Sequence, residues 1–127
     1  MDNIIEGKDE VRKFSVYMGH DSNIVPLLMF FELTSPECIE MKWKNQTVKG
    51  VCAEAPPFAA NMIFELHEEN NEYNVKIRYD GYYLKAYEGK EEWPYDKFSS
   101  FAKSKLVDVD KECGIKDQRD ILVYDQI

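Results

Sequence analysis

The dipeptide His20-Asp21 is the part of this sequence whose residue types and position best suit chemistry. It follows Gly19, between a predicted strand and a predicted helix. In open α/β sheets, a loop at the carboxyl end of a strand is the usual place for a ligand. There the imidazole lies near backbone N–H groups that favour an anion, and the carboxyl group can act as a general acid. The structural alternative is that Asp21 caps the helix and His20 is a polar loop residue.

Two further candidates, Glu65 and His67, share one face of a later predicted strand. On an edge strand this face is solvated, whereas on a central strand Glu65 is buried and needs a cationic partner. A histidine near a strand end is more often a surface residue than a ligand. Because the chain has only two histidines and no cysteine pair at metal-knuckle spacing, we expect no metal. The sequence has no Gly-rich phosphate loop either, and we expect no other cofactor.

The residues around His20 predict a strand, a short loop and a helix. Residues 11–18 alternate apolar and polar side chains and are rich in β-branched and aromatic types, which is typical of a strand. Residues 23–33 carry apolar side chains at helical spacing along one face. Asp21 or Ser22 is the expected N-cap, and Pro26 is expected in the first turn, where its missing N–H leaves no bond unmade.

The remaining pattern predicts a small antiparallel unit followed by a helix. Asp80-Gly81 favours a two-residue hairpin turn, since both residues accept a positive φ. The predicted elements are a long loop over 34–57 with one short strand at 39–43, strands at 59–68, 73–79 and 82–87, a loop at 88–93, and a helix at 94–106 that buries Phe98, Phe101, Ala102 and Leu106.

Composition limits the function classes. The chain has 127 residues, with 16 Lys and Arg against 24 Asp and Glu, for a net charge of −8. This length suits one small domain or part of a larger one. The negative charge argues against nucleic-acid binding. Residues 1–10 have no signal-peptide pattern, and the longest apolar stretch, 24–31, is too short for a transmembrane segment.

The cysteines and one sequon leave the compartment open. Cys38, Cys52 and Cys113 cannot all pair within the chain. The odd count fits a reduced cytosolic protein, and equally a segment whose disulfide partners lie elsewhere. The triplet Asn45-Gln46-Thr47 accepts a glycan only if the chain enters the secretory pathway.

Several segments, taken in order, resemble the histidine acid phosphatases. Residues 13–24 (KFSVYMGHDSNI) resemble that family's segment of strand, small residue, His-Asp, Ser or Thr, and helix. Pro56-Pro57-Phe58-Ala59, followed by Phe64-Glu65-Leu66, resembles a second family segment. The 73–79 strand, the helix at 95–101 and Lys111-Glu112-Cys113 follow in the family's order, so the resemblance runs from about residue 11 to residue 113.

The resemblance implies a fold and a chemistry. Such enzymes have a large α/β domain with an inserted helical subdomain, hydrolyse phosphate monoesters at low pH and need no metal. A histidine in an Arg-His-Gly-x-Arg motif attacks phosphorus and forms a phosphohistidine, while arginines clamp the phosphoryl oxygens. By resemblance, His20 contacts the phosphoryl oxygens and Asp21 protonates the leaving oxygen. The resemblance also implies a parent enzyme that is extracellular or located in the secretory or lysosomal lumen.

The sequence departs from that pattern in one large respect. It contains no Arg-His-Gly motif, and none of its three arginines stands beside a histidine. Cys113 also lacks the upstream partner that the resemblance implies. We therefore interpret the chain as the C-terminal portion of such an enzyme, inactive alone, with the N-terminal half as its partner.

The expected fold is a partial three-layer α/β/α sandwich: one strand–loop–helix unit, an antiparallel hairpin and a C-terminal helix, incomplete without N-terminal strands. Residues 1–10 are expected to be frayed, 11–113 to form the phosphatase-like part, and 114–127 to be a tail. Two alternatives stay open. One is a non-catalytic, degenerate module that binds a partner through its exposed sheet edge or an apolar face. The other is an unrelated small cytosolic α+β protein.

Overall fold

A computed structural model gives the fold and describes residues 1–7 and 13–114. Within these residues the chain has a mixed α/β fold, in which helices pack on an open antiparallel sheet of four strands. The helices are α1 (Asp2–Ile5), α2 (Asp21–Phe30), α3 (Pro36–Trp43), α4 (Tyr95–Ser104) and α5 (Val109–Glu112); the strands are β1 (Met62–Glu69), β2 (Glu72–Tyr79), β3 (Tyr82–Tyr83) and β4 (Glu92–Pro94).

Strand β2 forms the centre of the sheet. It pairs antiparallel with β1 along one side, and with β3 and β4 along the other. Asn70 and Asn71, in the turn between β1 and β2, have φ values of 53° and 63°, and Asp80 and Gly81, in the next turn, have 46° and 89°. These residue types tolerate a positive φ, which matches the twist of the paired strands. The hairpin turn predicted at 80–81 is confirmed.

The core lies between the sheet and helices α2 and α4. Val75 and Ile77 of β2 are fully buried and form one cluster with Leu28 of α2. Phe31, just after α2, stacks on Phe98 of α4 with ring centroids 5.4 Å apart. Burial of each large apolar side chain contributes roughly 1.5–3 kcal/mol. The face of β2 that carries Val75 and Ile77, within the strand predicted at 73–79, is therefore the face that packs against the helices.

The strand predicted over residues 11–18 is wrong for the part that the structure describes. Residues 14–20 have no helix or strand hydrogen bonding. Phe14 is 83% exposed, Val16 68% and Met18 98%. A strand needs a neighbour to satisfy its N–H and C=O groups, and the described residues provide none here. The alternation is present in the sequence, but no described part of the chain packs on the apolar side chains of this segment. Residues 11 and 12 lie outside the described ranges.

Helix α2 departs from its predicted bounds. It begins at Asp21 rather than 23, ends at Phe30 rather than 33, and has His20 as its N-cap in place of Asp21 or Ser22. Pro26 is the sixth residue of the helix, beyond the first turn that its sequence position suggested. Its missing N–H leaves the Ser22 carbonyl without a helical partner, and because Ser22 is exposed, water can take that place.

Helix α3 replaces the loop and short strand predicted around residues 39–43. The Ser35 hydroxyl is its N-cap and accepts a hydrogen bond from the Cys38 N–H at 3.1 Å. Pro36 occupies the first helical position, where its fixed φ suits a helix. The pair Ser35-Pro36 is a helix start signal, and it outweighs the weak strand pattern that follows.

The segment after α3 is anchored beside the C-terminal end of α2. A disulfide joins Cys38 to Cys52, with Cα atoms 6.0 Å apart, so the pairing left open by the sequence is settled. The Ala53 N–H donates to the Leu33 carbonyl at 2.7 Å, and the Thr34 hydroxyl donates to the Ala53 carbonyl at 2.9 Å. These bonds fix where the chain emerges before residues 56–60. Cys113 is free and exposed.

The C-terminal part follows its prediction in outline. Helix α4 lies within the predicted 94–106 range and turns Phe98, Phe101 and Ala102 to the core, but Leu106 lies beyond its end and is 71% exposed. Trp93, predicted in a loop, is buried in β4 because that strand pairs with β2. The returning strand predicted at 82–87 is only two residues long.

The chain ends are described in part. Residues 2–5 of the predicted frayed segment form the single turn α1. Residues 8–10 of that segment, and all but the first residue of the predicted tail at 114–127, lie outside the described ranges. Among the described helices, none has the length and apolar character needed to cross a bilayer.

Candidate active site

His20 and Asp21 lie together at the start of α2, as the sequence predicts. The His20 backbone is extended, with φ −121° and ψ 174°. Its N–H donates to Asn23 Oδ1 at 2.8 Å, and the Asn23 N–H donates to the His20 carbonyl at 3.0 Å. This reciprocal pair fixes the turn that presents both side chains. Sequence reasoning missed Asn23, although a polar residue three positions after a cap is a known helix start signal.

Gly19 leaves room for the Asn23 side chain in the same turn. A Cβ atom at this position would stand 2.6 Å from Asn23 Oδ1, well inside contact distance. Any larger residue therefore has to push the Asn23 amide away from the His20 N–H. The glycine before His20 therefore leaves room for this hydrogen bond.

The Asp21 carboxylate lies at the first residue of α2 and is exposed. Its Oδ1 accepts a hydrogen bond from the Ser22 N–H at 2.6 Å. A negative charge is favoured at a helix N-terminus by the helix dipole. Asp21 Oδ2 makes no hydrogen bond to any described residue, so this oxygen is available to a ligand. His20 is likewise exposed and available.

The segment 56–60 forms the opposite wall. Pro56 and Pro57 restrict the backbone, and the Ala60 N–H closes a turn onto the Pro57 carbonyl at 3.2 Å. Ala59 has φ 60°, in the left-handed region that is uncommon for alanine. The Phe58 side chain is fully exposed at the tip of this turn. A large aromatic ring is thus presented to solvent rather than used in the core.

An open cleft of about 490 Å³ lies between these two walls. Its lining is Gly19, His20, Asp21 and Ile24 on one side, with Pro56, Pro57, Phe58, Ala59 and Ala60 on the other. Both segments contributed to the sequence resemblance described above, but that resemblance did not predict that they line one cleft. The ionisable side chains in this lining are the His20 imidazole and the Asp21 carboxyl. No lysine or arginine is among the lining residues, so nothing described here neutralises a dianionic phosphate.

Glu65 and His67 lie away from the cleft, on the outer face of the sheet. Strand β1 is an edge strand, yet the Glu65 side chain is only 21% exposed. Its oxygens contact Arg78 Nη2 at 3.1 Å, and His67 Nε2 and the Tyr83 hydroxyl at 2.9 Å each. Burial raises the pKa of the Glu65 carboxyl, but these hydrogen bonds and the Arg78 charge outweigh it and lower the pKa. Glu65 therefore combines features of both predicted cases. It lies on an edge strand, as in the solvated case, but it is largely buried and paired with a cation, as expected for a central strand.

No group of three or more His, Cys, Asp and Glu side chains gathers in a way that suits a metal ion within residues 1–7 and 13–114. His20 and His67, the two histidines, lie on separate elements, at the start of α2 and on β1. The cleft offers a carboxyl group beside an imidazole at a helix start.

Comparison with known proteins gives one match. The family model of the histidine phosphatase superfamily (branch 2) matches residues 2–80, more than half of the chain. This range contains both walls of the cleft. No curated protein and no solved structure matches the chain.

Proposed function

The chain belongs to the histidine phosphatase superfamily (branch 2), and on that premise we propose that it supplies the proton-donor part of a site that hydrolyses phosphate monoesters. The observation that carries the proposal is the cleft in which His20 and Asp21 face the 56–60 segment. Both segments resemble the acid phosphatase members of the family, and the fold brings them together across a long stretch of sequence.

In the proposed reaction, a histidine nitrogen outside these 127 residues attacks phosphorus while the bond to the leaving oxygen breaks. Asp21 donates its proton to that oxygen, so the product leaves as a neutral alcohol rather than as an alkoxide. The Asp21 carboxylate then takes a proton from water, whose oxygen attacks the phosphohistidine and releases inorganic phosphate. His20 holds a phosphoryl oxygen through both steps.

The proposal assigns the nucleophile and the arginine clamp to polypeptide that is not in this sequence. No Arg-His-Gly motif occurs in it, and the lining of the cleft holds no lysine or arginine. The exposed apolar residues between 13 and 18 lead directly into Gly19 and His20. This is the place where the sheet of a nucleophile-bearing part would add its strands.

Complementation tests the proposal. The purified chain alone is expected not to hydrolyse an aryl phosphate at about pH 5. Mixed with the Arg-His-Gly-bearing part of a branch 2 enzyme that lacks its own His-Asp segment, it is expected to restore turnover. For an alkyl phosphate, Asp21→Asn should lower the restored turnover by roughly 10²–10⁴-fold, the usual contribution of a general acid. Ser22→Ala is the matched control and should leave turnover unchanged.

The leaving group gives the decisive readout. A nitrophenolate leaves easily without a proton, whereas an alkoxide does not. The Asp21→Asn loss should therefore be much larger for an alkyl phosphate than for a nitrophenyl phosphate. An equal loss for both substrates, or full turnover with Asp21→Asn, contradicts the assigned role. Turnover by the isolated chain contradicts the claim that the nucleophile lies elsewhere.

The second candidate is a non-catalytic phosphatase-like module that binds a partner. The specific observation in its favour is a cleft whose lining has no lysine or arginine, next to the exposed apolar residues between 13 and 18. This candidate predicts that the chain binds the nucleophile-bearing part without restoring turnover, so the complementation experiment separates the two.

A further inference from the structure

The sequon Asn45-Gln46-Thr47 is exposed at the end of α3, and neither the core nor the cleft uses it. Asn45 is the acceptor position of the triplet, and Thr47 provides the required hydroxyl two residues later. The sequence contains no second triplet of this kind. The acceptor motif is therefore exposed and free of any role in the core or the cleft.

The backbone explains the asparagine only in part. The Gln46 N–H donates to the Met41 carbonyl at 2.8 Å and the Asn45 N–H donates to the Lys42 carbonyl at 3.0 Å, which is the pattern that ends many helices. Asn45 accordingly has φ 54°. Asparagine suits that conformation, but glycine suits it better. Thr47 makes no hydrogen bond to a described residue, so helix termination does not account for the hydroxyl.

The disulfide places the sequon in a consistent chemical setting. Cys38 and Cys52 are bonded and enclose the triplet in one loop of the chain. Structural disulfides form in oxidising compartments and are rare in the cytosol. The eukaryotic secretory pathway is both oxidising and the place where such triplets receive glycans. The bonded cysteines and the exposed acceptor therefore point to the same environment.

Trp43 adds a contact surface for a sugar. It is the last residue of α3, two positions before Asn45, and its side chain is 83% exposed. Its ring stacks on no aromatic ring of the described residues, unlike that of Trp93, which packs in the core. An exposed indole offers a large, rigid apolar face with a polar N–H at its edge, which a partly apolar ligand can cover. The C–H face of a pyranose ring is a suitable cover.

We propose that Asn45 carries an N-linked glycan and that Trp43 packs against its first N-acetylglucosamine. In the transfer step, the Asn45 amide nitrogen forms a bond to C1 of the sugar and loses one proton. The C1–O bond to a lipid-linked diphosphate donor breaks, and the diphosphate leaves with the electron pair. The transferase of the secretory pathway supplies that donor. This proposal is independent of the phosphatase chemistry.

Occupancy is tested on the full chain, secreted from eukaryotic cells behind a leader peptide. Peptide-N-glycosidase is expected to reduce the mass of the wild-type chain in one step. Asn45→Gln and Thr47→Ala are each expected to abolish that step, because each removes an essential part of the acceptor. Gln46→Ala is the matched control, since the central position is not restrictive, and it should keep the glycan. A secreted wild-type chain whose mass does not change overturns the proposal.

The Trp43 contact is tested by thermal unfolding before and after removal of the glycan. In the wild-type chain the glycan should raise the midpoint by a few degrees. In Trp43→Ala that gain should be largely lost, whereas Trp43→Phe should keep part of it. Phe58→Ala removes another exposed aromatic ring, in the wall of the cleft, and should keep the full gain. An equal gain in wild type and Trp43→Ala overturns the packing contact.

Discussion

At the scale of single residues, the start of α2 depends on one hydrogen bond and the space left for it. Gly19→Ala places a Cβ atom 2.6 Å from Asn23 Oδ1 and so breaks its bond to the His20 N–H. Loss of a helix-start bond typically costs about 1 kcal/mol in the free energy of unfolding. We expect that cost from Gly19→Ala and from Asn23→Ala in urea unfolding. Because both remove the same bond, the double variant should cost little more than either single one. Fully additive costs would show that Gly19 acts through something else.

Glu65 gives a pH-dependent prediction at the same scale. Its pKa in the folded chain is lowered from an ordinary value of 4.5, so its pairing stabilises the fold fully above that value and is lost as the pH falls through the folded pKa. Glu65→Gln should therefore cost about 1 kcal/mol at pH 6, and this difference from wild type should shrink as the pH falls below 4.5. Urea unfolding at several pH values measures it. Glu69→Gln, at the exposed end of the same strand, is the control and should change the free energy of unfolding much less. If the cost of Glu65→Gln instead grew on acidification, the pairing would be contradicted.

At the scale of elements, the disulfide holds α3 to the segment that leads into the cleft. Cys38 and Cys52 are 14 residues apart in sequence. Closing a loop of that length stabilises a fold by about 2–3 kcal/mol, mainly through the unfolded chain. The double variant Cys38→Ser, Cys52→Ser should lose that amount in urea unfolding under non-reducing conditions. Cys113→Ser is the control and should be neutral, because Cys113 is free and exposed. Equal stability of the double variant and wild type would show that the bond does not form in solution.

The elements also show which parts of the structure a sequence can predict. The hairpin at 80–81 and the burial of Val75 and Ile77 followed from local rules, since turn residues and a period of two decide them. Helix α3 was missed because its start signal at Ser35 and Pro36 lies outside the apolar run that suggested a strand. Residues 13–18 have the sequence pattern of a strand but no neighbouring strand among the described residues. Whether such a segment forms a strand depends on a pairing partner elsewhere, which its own sequence cannot reveal.

In the candidate site, too, local features could be predicted from the sequence and tertiary features could not. His20 and Asp21 were identified from their types and their place before a helix, which are local features. Their position opposite residues 56–60 is a tertiary fact, set by the anchoring of Ala53 against Leu33 and Thr34. Neither sequence periodicity nor a local motif predicts that two segments distant in sequence line the same cleft. The resemblance supplied both segments, and the fold supplied their juxtaposition.

At the scale of the whole molecule, the apolar stretch before the site should make the isolated chain associate. Phe14, Val16 and Met18 are 83%, 68% and 98% exposed and occupy alternate positions, which suits pairing with a second chain. We expect the mass measured by light scattering or sedimentation to rise with protein concentration in the micromolar range. Replacing the three residues by serine should abolish that rise, while the free energy of unfolding changes by less than about 0.5 kcal/mol, because none of the three is buried.

The matched control for that triple variant removes an equal number of exposed apolar side chains elsewhere. Leu106, Val107 and Val109 are 71%, 64% and 59% exposed and lie after α4. Serine at these three positions should leave the association unchanged, since they do not form a continuous extended segment. If both triple variants reduced association equally, general hydrophobicity would explain it. If only the triple variant at Phe14, Val16 and Met18 reduced association, the segment that leads into His20 would be the edge through which two chains pair. The proposed nucleophile-bearing part should then compete with self-association.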